Sequence, residues 1–126
     1  MAVIDITQDR LEAAIRDSGT LILDFWAPWC APCRAFAPIF EEASEQFPDV
    51  VFGKVNTEEE QQLAALFQIR SIPTLMIFRE QIIVFNQPGM LSASQLNEVL
   101  EKVAALDMDD VRSKMETGPD SGEDQG

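Results

Sequence analysis

The 126-residue chain contains no histidine and only two cysteines. Without an imidazole, Ser-His-Asp and Cys-His hydrolase mechanisms lose their usual base. Two cysteines alone cannot supply the four ligands of a structural zinc site. Basic residues are also scarce: 9 Lys and Arg stand against 22 Asp and Glu, a net charge of −13. A polyanion is repelled by such a chain, and no basic stripe exists to release counterions, which argues against nucleic acid as a partner. No apolar run approaches the ~20 residues needed to cross a bilayer. Met1–Arg10 holds no basic stretch followed by an apolar one. No signal peptide is therefore expected, and the location expected is cytoplasmic.

What is present suits one domain. The chain is 46% hydrophobic, enough to bury a core without staples. Its acids are unevenly spread. Residues 1–106 carry 7 basic and 15 acidic residues, and residues 107–126 carry 2 and 7. The expected division is a folded domain over 1–106 and an acidic, disordered tail over 107–126. Within that tail, Met108, Val111 and Met115 have the spacing to carry the last helix on by a turn or two.

Periodicity places the elements. Val3–Ile6 reads as a short strand and Asp9–Asp17 as a helix. The nearly continuous apolar run of Thr20–Trp26 suits a strand buried on both faces. Ala31–Phe47 follows as a helix with Phe36, Ile39, Phe40, Ala43 and Phe47 on one face, and Pro38 inside it predicts a kink. Val50–Asn56 is a strand, and Thr57-Glu58-Glu59-Glu60 looks like a capping box for a short helix through Leu63, Leu66 and Phe67. Thr74–Arg79 and Ile82–Gln87 are close enough for a hairpin. Ser92-x-x-Gln95 is a second capping box, opening a helix with Leu96, Val99, Leu100 and Val103 on one face. The order β-α-β-α-β-α-β-β-α implies an α/β fold: a mixed five-stranded sheet flanked by four helices, its central β-α-β parallel and right-handed.

The segment that carries chemistry is Trp26-Ala27-Pro28-Trp29-Cys30-Ala31-Pro32-Cys33-Arg34, at the end of a buried strand and the start of a helix. Disulfide exchange is driven by thiolate. A cysteine at a helix N-terminus faces unpaired N–H groups and the positive end of the dipole, both of which favour S⁻. Each unit by which a thiol falls below about 8.5 stabilises the thiolate by about 1.4 kcal/mol. Cys30, at the helix start, reads as the exposed nucleophile. Cys33, one turn deeper, reads as the resolving thiol.

Several motifs in order make the chain resemble thioredoxins over about Asp5–Val103. Asp24-Phe25-Trp26-Ala27 precedes Trp29-Cys30-Ala31-Pro32-Cys33, and Pro38 falls in the following helix. Lys54-Val55-Asn56 ends the next strand, Ile69-Arg70-Ser71-Ile72-Pro73-Thr74 opens the hairpin, and Pro88-Gly89 closes it. The resemblance implies a thioredoxin fold and a redox-active Cys30–Cys33 disulfide that reduces protein disulfides. It makes Asp24 a buried proton acceptor for Cys33, with Lys54 in support. Pro73 would be a cis-proline facing the sulfurs, with the Ile72 backbone pairing to substrate. Trp29, Ala31, Pro32, Ile72, Gly89 and Met90 would form an apolar docking rim. No cofactor or metal would bind, and NADPH would act indirectly, through a flavoprotein thioredoxin reductase. The chain would be monomeric.

Two features depart from the family pattern. Alanine at position 31 stands where glycine is commonest, adding a methyl beside the sulfurs. The hairpin carries Arg79-Glu80-Gln81 in place of an Asn-Gly turn. The alternatives to a general disulfide reductase are a thioredoxin-fold chaperone or adaptor whose redox turnover is secondary, and an exported reductant or oxidant.

Overall fold

The computed structural model describes residues 2–115. The chain runs β1 (Val3–Asp5), α1 (Gln8–Asp17), β2 (Thr20–Trp26), α2 (Ala31–Gln46), β3 (Val51–Asn56), α3 (Gln61–Leu66), β4 (Thr74–Arg79), β5 (Ile82–Pro88) and α4 (Ala93–Ala104). A further helix, α5, covers residues 108–115. The strands form one sheet in the order β1-β3-β2-β4-β5. β1, β3 and β2 are parallel, and β4 and β5 are antiparallel to their neighbours. This is the mixed five-stranded sheet expected from the sequence.

Strand β2 sits at the centre because it can be buried on both faces. Ile22 joins Phe36, Phe40, Leu96 and Leu100 in the layer beneath α2 and α4. Leu21, Leu23 and Phe25 join Leu11 and Leu63 in the layer beneath α1 and α3. The alternation is that of any strand: odd and even residues leave opposite faces. The helix α2 is continuous through Pro38.

Four helices are expected from the sequence, and the described residues form five. Residues 108–115 neither prolong α4 nor form part of a disordered tail. Asp107 caps a new helix, its carboxylate accepting the N–H groups of Asp109 at 3.1 Å and Asp110 at 3.3 Å. Met108 is buried. The Arg79 guanidinium donates to the carbonyls of Val103, Ala104 and Leu106, closing the end of α4, and Arg112 pairs with Glu80 on the hairpin. Residues 116–126, the rest of the expected tail, lie outside the described residues.

The two expected capping boxes fare differently. At Ser92 both halves are present: Gln95 N donates to Ser92 Oγ at 3.2 Å and Ser92 N to Gln95 Oε1 at 3.0 Å. At Thr57–Glu60 there is none. Asn56 Oδ1 accepts from the Glu58 and Glu59 N–H groups, and Thr57 Oγ1 donates to Trp26 O. Those bonds hold the segment in a turn, so α3 starts only at Gln61, an outcome typical where a side chain offers the backbone an alternative to the helix. The β4–β5 turn needs no Asn-Gly. Glu80 (φ 52°) and Gln81 (φ 72°) both adopt the left-handed conformation that a two-residue hairpin of matching twist requires.

One glycine is fixed by close approach. A Cβ on Gly53 would stand 2.6 Å from Ile6 Cγ1 and 3.2 Å from Leu23 Cδ2. Both neighbours are buried branched side chains with no free end to swing aside. Gly53→Ala is expected to destabilise the fold by about 1–3 kcal/mol, the usual range for overpacking a core. Urea unfolding measures it, and wild-type stability in the variant would refute the steric account.

Candidate active site

The segment Ala27–Cys33 links the C-terminal end of β2 to the first turn of α2. Cys30 is the N-cap of α2, with extended backbone, and Cys33 lies in the first turn. The Cys30 side chain takes the place usually held by Ser or Asp: its Sγ accepts the Cys33 N–H at 3.2 Å. Pro32 has no N–H to satisfy, so proline suits the first turn. Cys30 N in turn donates to Ala27 O at 3.2 Å. The two cysteines form a disulfide, with Cα atoms 5.2 Å apart.

From the sequence, Cys30 is expected at the surface and Cys33 beneath it. Residue burial does not separate them in the oxidised protein: Cys30 is 4% exposed and Cys33 3%. Ala27, Trp26 and Ile72 pack around the pair. What distinguishes the sulfurs is the helix: Cys30 holds the cap, and Cys33 supplies the N–H group that reaches it. Cys30 Sγ also lies 3.8 Å from Ile72 O, within reach of a thiol hydrogen once the bond is reduced.

The Ile72–Pro73 peptide bond is cis, and Pro73, which follows the Ile72 carbonyl, is buried. Pro73 O accepts the N–H of Gly89 at 2.8 Å. Gly89 has φ 94°, a conformation that glycine adopts freely. Ala31 and Pro32 are exposed, and Met90 is exposed beside Gly89. Trp29 is 65% exposed. With Ile69, Arg70, Ser71 and Ile72 it lines a shallow hollow of about 190 Å³.

Asp24 is 1% exposed, and neither carboxylate oxygen has a hydrogen-bond partner among the described residues. It lies two residues from Ile22, so it leaves β2 on the α2 side. Burial pushes its carboxyl up to about 7, and the Lys54 ammonium acts in the opposite direction. Lys54 is its register partner on β3, which brings the two side chains to the same face. Lys54 Nζ stands 4.2 Å from the centroid of the Trp26 ring, a cation–π contact. A hollow of about 340 Å³ opens beside Lys54 and Trp26. The Trp26 indole nitrogen is buried without a partner among the described residues.

One contact is missed by the sequence reading. Trp29 Nε1 donates to Glu58 Oε2 at 2.9 Å, which ties the exposed indole to the turn after β3. A signal exists, because Glu58 follows the Lys54-Val55-Asn56 motif. The capping role expected of Thr57–Glu60 hides it. Among the described residues, no group of three or more Cys, Asp or Glu side chains is placed to hold a metal ion.

A disulfide whose first sulfur caps a helix N-terminus is the site of a thiol–disulfide oxidoreductase. The thioredoxin family model matches residues 2–102, so the chain belongs to the thioredoxin family, whose members are protein-disulfide oxidoreductases. A Streptomyces coelicolor protein described as a putative thioredoxin 2 is 47% identical over 111 residues, covering 88% of this chain and 83% of that one. Thioredoxin 1 of Nostoc sp. is 41% identical over 103 residues, 80% of this chain and 96% of its own. Among solved structures, a single-site mutant of a thioredoxin from Halobacterium salinarum superposes with a TM-score of 0.78 at 28% identity, covering 83% of this chain and 93% of that one.

The raised Asp24 carboxyl has a consequence for stability. Its folded value of about 7 lies above its ordinary 3.8. The folded state therefore holds this proton more tightly, and the contribution of Asp24 to stability is greatest below about pH 4, falls as the pH rises to about 7, and levels off beyond. A shift of that size corresponds to roughly 4 kcal/mol. Asp24→Asn is expected to flatten the dependence between pH 4 and 7 and to leave the oxidised variant more stable than wild type at pH 8. Urea unfolding across this range tests it; an unaltered slope would remove Asp24 as its source.

Proposed function

We propose that the chain reduces disulfides in other proteins, with Cys30 as nucleophile, Cys33 as resolving thiol and Asp24 as proton acceptor. The observation that carries this order of attack is the cap: Cys30 Sγ accepts a helix N–H at 3.2 Å. A sulfur in that position is stabilised as thiolate by the hydrogen bond and the helix dipole.

Two exchanges complete the reaction. The Cys30 thiolate attacks one sulfur of the substrate disulfide, forming a mixed disulfide and expelling the other as a thiolate. Cys33 gives its proton to Asp24 and attacks Cys30 Sγ. The mixed disulfide breaks, the second substrate thiolate leaves, and Cys30–Cys33 forms. The substrate gains two electrons and the dithiol loses two. A carboxyl raised to about 7 is half ionised near neutrality and is matched to taking a proton there. Lys54 supports it by setting how far the carboxyl rises. The exchange itself needs the two sulfurs and no bound cofactor.

Substrate docks on the rim of Trp29, Ala31, Pro32, Ile72, Pro73 and Gly89, with extended backbone pairing at Ile72. Glu58 holds the Trp29 indole in place for this contact. The regenerating partner is a flavoprotein thioredoxin reductase drawing on NADPH, and the chain works as a monomer in the cytoplasm. No helix among the described residues is long and apolar enough to cross a membrane.

Insulin reduction coupled to a thioredoxin reductase and NADPH tests the proposal. Wild-type protein turns over, and Cys30→Ser falls to the background rate. Cys33→Ser accumulates mixed disulfides, seen as adducts on non-reducing gels. Adducts formed by Cys30→Ser and not by Cys33→Ser would reverse the assigned order. An inert wild type that still retains unfolded clients would make the chain an adaptor.

A further inference from the structure

Three register partners form a row across the sheet. Asp5 of β1 lies opposite Lys54 of β3, and Lys54 lies opposite Asp24 of β2. Residues in register on neighbouring strands leave the sheet on the same face. The core bears this out. Val3, Phe52 and Ile22, each two residues before a member of the row, all pack in the layer beneath α2 and α4. A lysine therefore stands between two acids. One is exposed on the edge strand β1, and the other is buried on β2. On the far side of Asp24 the register partner is Leu75 of β4, which carries no charge.

The ion pairs among the described residues do not include Lys54. Its ammonium sits over the Trp26 ring instead. Lys54 and Trp26 line the hollow of about 340 Å³ together with Asp5, Glu59 and Glu60. Glu60 is engaged there, its Oε1 accepting the Gln8 N–H at 3.1 Å. The ammonium thus has a buried acid on one side and an acidic hollow on the other. A point charge on a flexible four-carbon stem can lean either way. Burial raises the Asp24 carboxyl and the Lys54 charge works against that rise. Where the ammonium rests is therefore a lever on the acid.

We propose that Asp5 is a positioning residue: its carboxylate draws the Lys54 ammonium toward the hollow and so limits the support that Lys54 gives to the ionised form of Asp24. Among the acids of the hollow, register singles out Asp5, because Glu59 and Glu60 belong to the turn after β3. An edge strand thereby tunes the acid at the centre of the sheet. This deepens the reading of Asp24 as proton acceptor and rests on it only for the consequence in disulfide exchange. Without the Asp5 charge the ammonium settles toward Asp24, and the carboxyl titrates at lower pH. At a separation of about 5–6 Å and an effective dielectric of about 20, an approach by about 1 Å moves a titration by roughly 0.3–0.5 pH unit.

Carbon-13 NMR of the Asp24 side-chain carboxyl, followed against pH in the full-length oxidised chain, reads the effect directly. There both sulfurs are held in the disulfide and do not titrate. Asp5→Asn is expected to lower the Asp24 midpoint by about 0.3–0.5 pH unit at low salt, and Asp5→Lys to lower it further. Asp5→Glu, which keeps the charge, should leave it near wild type. Salt at about 0.5 M should shrink the Asp5→Asn shift by at least about half. In a Lys54→Met background the same substitution should move the midpoint by less than about half as much, because its route through the lysine is gone. Should Asp5→Asn fail to fold by circular dichroism, Asp5→Lys carries the test. An unmoved or raised midpoint, an undiminished shift without Lys54, or an equal shift from Glu59→Gln would each overturn the proposal. The resolution step, read as release of the second thiolate of a chromogenic disulfide, should have its pH profile displaced downward with the carboxyl. A carboxyl that moves while that profile stays put would uphold the positioning and remove Asp24 as the acceptor.

Discussion

The first turn of an α-helix leaves backbone N–H groups with no carbonyl to accept them, and something must answer for them. At the start of α2 the answer is a sulfur. Cys30 stands at the cap and accepts the Cys33 N–H, Pro32 removes one donor outright, and Arg34 N returns to Cys30 O at 3.1 Å. A neutral thiol is a poor cap and a thiolate a good one, so the helix is better capped when the cysteine is reactive. The same bond that finishes the secondary structure therefore biases the chemistry. Everything upstream serves to deliver residue 30 to that position: a strand buried on both faces, then Ala27 with no exposed surface, then a bend whose Ala27 O accepts Cys30 N.

A buried strand with an acid in it is the second constraint, and it opposes the first. Asp24 has no hydrogen-bond partner among the described residues, and an unpaired polar group in a core costs stability. The register places Lys54 across from it, but the Lys54 ammonium stands over the Trp26 ring and makes no ion pair with the carboxylate. Desolvation consequently outweighs the pull of the lysine charge, and the carboxyl rises to about 7 instead of falling. A closer lysine would favour the carboxylate and offset more of the cost of burial.

Much of this is legible in the sequence, because the decisive features are local. The Thr20–Trp26 run, the Trp-Cys-Ala-Pro-Cys segment after it and the Ser92–Gln95 capping box each depend on neighbours within a few residues. The features that escape depend on what those neighbours are doing instead. Glu58 reads as a helix acid, yet it bonds Trp29 because Asn56 has already turned the chain. Burial of Cys30 depends on Trp26 and Ile72 closing over it, the second of them 42 residues away. The helix α5 is obscured by its own charge. Asp107, Asp109 and Asp110 look like a solvated tail, yet one of them is a cap for the other two, and Met108 is buried despite them.

The two ends of the sheet carry different kinds of constraint. At the Trp26 end, β2, α2 and the Ile72–Pro73 turn converge on two sulfurs, and the backbone contacts there set the cap. At the Glu80 end the family model has already stopped at residue 102, and α5 is added beyond it. Its attachments, Arg79 on the α4 carbonyls and Arg112 on Glu80, touch no residue of the active site. Packing gained at this end therefore does not alter the geometry of the cap or the burial of Asp24. That separation lets a thioredoxin domain acquire a surface of its own without disturbing the exchange chemistry it shares with its relatives.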